Sequence, residues 1–102
     1  MKTLKLKSKK SLPNVRYLID VYKDGKYFVG VAKGLDYTGV GKTIDKAIKN
    51  TKKSVKLALE WCLENRTLEK ALRECGFEPY IENGKKVWAC KNYLCSILEE
   101  VA

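Results

Sequence analysis

Apolar residues recur at helical spacing over one long stretch, GKTIDKAIKNTKKSVKLALEWCLEN, from Gly41 to Asn65. A step of about 100° per residue gathers Ile44, Ala47, Ile48, Thr51, Val55, Ala58, Leu59 and Cys62 into one broad stripe, the mark of a helix lying on a core. Thr43 is the expected N-cap, with Asp45 in the first turn complementing the positive end of the helix dipole. Lys42, Lys46, Lys49, Lys53 and Lys56 fall on the far side and predict an exposed basic face.

Ahead of the helix the pattern is that of strands. Residues Val15 to Tyr22 and Lys26 to Ala32 are β-branched, aromatic and aliphatic, and they flank Asp24-Gly25, a strong hairpin signal. A two-residue Asp-Gly turn sets Tyr22 opposite Tyr27, Asp20 opposite Val29 and Leu18 opposite Val31 on one side of the ribbon. Tyr17, Ile19, Val21, Phe28, Gly30 and Ala32 occupy the other side, where the small residues let the long helix approach. The first side stays largely apolar and needs a cover: the C-terminal segment, a second copy or a partner. Ser11 to Asn14 is read as punctuation, and Gly34 to Gly41 as a loop with a short third strand around Tyr37 to Val40.

After the long helix, Thr67 is expected to cap a short helix carrying Leu68, Ala71, Leu72 and Cys75, ended by Gly76. Phe77 to Ile81 and Lys85 to Cys90 flank Asn83-Gly84, a second hairpin signal. Asn92 precedes an amphipathic terminal helix with Tyr93, Leu94, Ile97, Leu98 and Val101. Trp61 and Trp88 are expected to anchor this tail to the long helix, with Leu57 beside Trp61. The predicted fold is α+β: an antiparallel three-stranded sheet on one long helix, followed by a small α-β-β-α extension. Its parts are a basic arm over 1 to 14, a β-β-β-α unit over 15 to 65, and the extension over 66 to 102 packed on that unit.

Composition narrows the function more than the fold. The 102 residues are enough for one core, and a formal net charge of +9 favours polyanionic or acidic partners. No apolar run is long enough to span a bilayer, and MKTLKLKSKK lacks the apolar core of a signal peptide, so a cytoplasmic protein is expected. The chain has no histidine, which removes the commonest general base. Cys62, Cys75, Cys90 and Cys95 lack zinc-type spacing and are read as reduced, partly buried thiols. No metal or other cofactor is expected. Asp20 sits on the first strand, but Asp24 in a turn, Asp36 in a loop and Asp45 at a helix cap do not converge with it into a ligand set.

The succession RYLIDVYKDGKYFVGV, a loop, then GKTIDKAIKNTKKSVKLAL resembles the HicB-type antitoxin domain, through a hairpin followed by G-x-T-x-x-x-A-x-x-N at Gly41, Thr43, Ala47 and Asn50. The resemblance covers about residues 15 to 65. It implies a partial RNase-H-like fold without RNase activity that sequesters a small RNase toxin. Where that family commonly has Pro-Gly-Cys, this chain reads Leu35, Asp36 and Tyr37. The tail, through LEKALRECGF and CSILEEV, faintly resembles the HicA-type toxin, a dsRBD-like fold whose RNase activity depends on a histidine. This resemblance implies an inactive relic or mimic.

Together these readings predict a non-enzymatic protein. Its partner surface comprises Leu18, Asp20, Tyr22, Tyr27, Val29, Asp36 and Tyr37, and occludes a small protein such as an RNase toxin. An alternative role is nucleic-acid binding through the arm lysines Lys5, Lys7, Lys9 and Lys10 with the helix lysines Lys42, Lys46, Lys49, Lys53 and Lys56. A third is a structural or regulatory homodimer joined at hairpin edges.

Overall fold

Two tight turns and one long helix set the architecture of the computed structural model, which describes residues 12 to 90 and residue 101. The elements are β1 (Asn14–Val15), β2 (Ile19–Asp24), β3 (Tyr27–Ala32), β4 (Thr38–Gly41), α1 (Ile44–Glu64), α2 (Leu68–Glu74), β5 (Phe77–Glu82) and β6 (Lys85–Cys90). Over the described residues the fold is α+β, with two helices and two three-stranded sheets. One sheet, ordered β2-β3-β4, is antiparallel throughout; the other, ordered β1-β6-β5, has β1 parallel to β6. The arm lysines and all of the expected terminal helix but Val101 lie outside the described residues; Val101 is exposed and in no helix.

The expected strand from Val15 to Tyr22 is two elements. Its beginning leaves as β1, pairing Asn14 with Val87 and Val15 with Trp88, and only from Ile19 does the chain join β3. Asn14, read as punctuation, is therefore in a strand. No glycine, proline or turn residue falls between Val15 and Ile19, so the sequence carries no mark of the switch between sheets.

The first hairpin also turns one residue later than expected. Asp24 pairs with Tyr27, so the loop is Gly25-Lys26, and Tyr22 lies opposite Val29 and Asp20 opposite Val31. Gly25 carries φ 62°, which suits the first central position of a type II′ turn. Moving the turn by one residue shifts the register by two. An even shift keeps every side chain on its predicted face. The second hairpin turns at Asn83-Gly84, both at positive φ, as a type I′ turn requires.

Helix α1 begins where its capping chemistry puts it: the Lys46 N–H donates to Thr43 Oγ1 at 3.1 Å. It ends in a Schellman arrangement, with Thr67 N–H donating to Cys62 O and Arg66 N–H to Leu63 O, and Arg66 rather than a glycine at φ 58°. Thr67 Oγ1 also donates to Cys62 O at 3.4 Å. The hydroxyl expected to cap α2 is thereby turned toward α1, and α2 has no side-chain cap.

Ala47, Thr51, Val55 and Leu59 are the buried stripe of α1, whereas Ile44, expected on it, is 51% exposed in the first turn. The close approach depends on glycines. Gly30 and Gly39 are opposite each other in β3 and β4, and a Cβ on either would collide with Thr51. A shared core then joins the two sheets: Ala32, Leu35, Val55 and Leu59 pack with Leu68, Leu72, Phe77 and Trp88. Trp88 is buried in it, but Trp61 and Leu57, expected to anchor the tail, are exposed on the flank of α1. The tail's own leucines and Trp88 fill the gap those two were expected to close.

Candidate functional site

Alternation along the β2-β3-β4 sheet separates a face under α1 from one that no described element covers. The Lys33 N–H donates to Leu18 O at 2.8 Å and extends the β2–β3 ladder past the strand ends. Leu18, Asp20, Tyr22, Tyr27, Val29 and Val31 thus share the uncovered face, joined from β4 by Thr38 and Val40. Tyr22 is 59% exposed, Val40 51%, Tyr27 45% and Leu18 39%, while Asp20, Val29 and Val31 are half-buried.

Five of the seven expected partner residues, Leu18, Asp20, Tyr22, Tyr27 and Val29, are therefore side by side. Asp36 and Tyr37 are not on that face. They lie in the β3–β4 connection, where Asp36 is held at φ 62° and its N–H donates to Ala32 O at 2.7 Å. The Tyr37 carbonyl accepts from Ala32 N–H, so the pleat groups Tyr37 with the helix-side set. Val40 is an addition to the surface. Its signal was present in Thr38-Gly39-Val40-Gly41, because the glycines had to take the helix side.

The helix lysines form a second, separate surface. Lys42, Lys46, Lys49, Lys53 and Lys56 are all exposed, and among the described residues none is in an ion pair. Lys52, also exposed, extends the basic surface on the flank away from β4.

At the junction of the sheets, a cleft of about 360 Å³ is lined by Arg16, Tyr17, Leu18, Lys33, Gly34, Phe77, Ala89 and Cys90. Burial pushes the Tyr17 phenol up. Nearby, exposed Arg16 and Glu82 form a bidentate pair that holds the Glu82 carboxyl below its ordinary range.

Cys62 is half-buried, while Cys75 and Cys90 are exposed rather than on the buried stripe expected for Cys75. Burial, then the negative charges of Asp36 and Glu74, push the Cys75 thiol up, which lowers its thiolate fraction. Among the described residues no group of His, Cys, Asp and Glu stands together as a metal site, and Asp20 has no acidic companions placed for that purpose. No helix among them is long and apolar enough to cross a membrane.

Comparisons with protein-family models, curated proteins and solved structures find no match. The chain presents two surfaces that bear on function, one apolar and aromatic, the other basic.

Proposed function

We propose that this chain is a non-enzymatic, cytoplasmic binding protein of HicB-like arrangement that occludes a small protein partner, such as an RNase toxin, with the uncovered face of its β2-β3-β4 sheet. The observation that carries this reading is that Leu18, Tyr22, Tyr27 and Val40 share one exposed sheet face. Contiguous aromatic and aliphatic surface is what partner interfaces bury, and tyrosine supplies large contact area with few rotors to freeze. The β-β-β-α order and the place of Asn50 in the helix start are in keeping with the resemblance noted from the sequence.

The test is inhibition of an RNase-like chain encoded beside this one. Added protein abolishes its RNA cleavage, and the Tyr22→Ala/Tyr27→Ala variant loses inhibition by about tenfold or more, since central aromatic anchors dominate such interfaces. Absence of such a neighbour, or inhibition indifferent to both tyrosines, contradicts the reading.

A second reading, nucleic-acid binding, is favoured by the exposed helix lysines, whose ammonium groups can replace counterions along a phosphate backbone. Binding to RNA or DNA that falls steeply with salt, and falls further when Lys49, Lys53 and Lys56 become glutamine, supports it. Salt-independent binding removes it.

A further inference from the structure

A sheet edge with unpaired backbone groups is a template for another strand, and proteins usually guard their edges. The described sheets end in β1, β5, β4 and β2. β1 is only two residues long. β5 has Pro79 at a position whose backbone turns outward, so the donor is missing where an incoming strand would need it. On β4 the outward carbonyls are already occupied: Asn50 Nδ2 donates to Val40 O at 2.6 Å and Ser54 Oγ to Thr38 O at 2.9 Å.

Among the described residues β2 has no such guard. The bond from Lys33 N–H to Leu18 O sets the phase of its ladder, so Asp20 and Tyr22 face β3 while Ile19, Val21 and Lys23 turn their N–H and C=O groups outward. Among the described residues nothing bonds to these groups. Helix α1 rests mainly on β4 and β3 and reaches β2 only marginally, so it does not cover this edge.

We propose that the outer edge of β2 receives an extended segment of an acidic protein partner as a fourth strand, with acidic and apolar side chains alternating along it. The alternation follows from the two sides of the edge. Asn50 and Ser54 mark the flank of α1 over β4, so Lys52 and Lys56 fall on the opposite flank, on the β2 side, where Lys23 also projects toward the helix side. Side chains of the added strand on that side meet ammonium groups and are acidic. Those on the other side extend the apolar face beside Tyr22. A second copy is a poor occupant, since pairing would bring together two chains of net charge +9. The inference rests on the docking role proposed above and adds which element of the partner binds and its chemistry.

The experiment titrates the isotope-labelled full chain with a synthetic peptide alternating valine and glutamate, and with its valine-lysine counterpart. The glutamate peptide alone slows exchange of the Val21 and Lys23 amides. Lys23→Pro, which removes an outward donor without breaking the β2–β3 ladder, weakens it roughly tenfold relative to Lys23→Ala. Should the proline variant fail to fold, Lys52→Glu/Lys56→Glu on the exposed flank reverses the preference between the two peptides. The inference is overturned by equal binding of both peptides, by protection at β4 or β5 instead, by Lys23→Pro matching Lys23→Ala, or by protection of the β2 amides in the free chain. If Tyr22→Ala/Tyr27→Ala relieves RNase inhibition and Lys23→Pro does not, the docking face stands and strand addition falls.

Discussion

Asn50 Nδ2 donates to the carbonyl oxygen of Val40 at 2.6 Å, tying the second turn of α1 to the outermost strand of the sheet beneath it. Ser54, one turn on, does the same for Thr38. Both bonds satisfy carbonyls that would otherwise face solvent along a strand edge. Asn50→Ala is expected to cost about 0.5–1.5 kcal/mol in chemical denaturation, nearer the lower figure because the site is exposed. The Asn50→Ala/Ser54→Ala variant is further expected to associate with rising concentration in sedimentation. A double variant that stays monomeric and fully stable contradicts the guarding role.

The Gly39–Thr51 approach sets how deeply α1 sits. A Cβ at Gly39 would lie 2.8 Å from Thr51 Cα, and neither backbone can yield cheaply. Gly39→Ala is expected to destabilise by about 1–3 kcal/mol, the usual cost of overpacking. Thermal unfolding measures it.

The two tryptophans separate core from surface. Trp88 is 2% exposed and Trp61 is 63% exposed. Trp88→Ala should cost about 3–5 kcal/mol, whereas Trp61→Ala should stay within about 0.5 kcal/mol of the native chain. Denaturant titration of both variants reads the contrast directly.

Sequence patterning made the local elements legible and left their assembly largely out of reach. Thr43, Asn83-Gly84 and the stripe from Ala47 to Leu59 declare themselves because capping, turn and periodicity chemistry act between near neighbours. The faces of the first hairpin were legible even though its register was not, since the turn slipped by an amount that preserves parity. What could not be read was long-range. The parallel pairing of β1 with β6, the burial of Trp88 rather than Trp61, and the use of Thr67 to end α1 all depend on which distant elements meet.

The Arg16–Glu82 pair links the start of the second sheet to its hairpin, and it carries a sign that can be checked. The Glu82 carboxyl is held below its ordinary value by the Arg16 hydrogen bonds first and by charge second. Any stability it contributes is present above the unfolded value of about 4.3 and lost as pH falls through the lower folded value. A carboxyl-detected NMR titration should place the Glu82 midpoint below that of the Arg16→Ala variant. Identical midpoints would show that the pair does not persist in solution.

In the proposed docking mode a protein partner is held by the uncovered face of the β2-β3-β4 sheet rather than by the lysines on the solvent side of α1. Calorimetric titration of an RNase-like chain encoded beside this one against two variants decides it: Leu18→Ala/Tyr22→Ala/Tyr27→Ala on the sheet face, and Lys46→Gln/Lys49→Gln/Lys53→Gln on the solvent side of the helix. The expected affinity loss is roughly a hundredfold for the first and less than about threefold for the second. Loss confined to the lysine variant would contradict it.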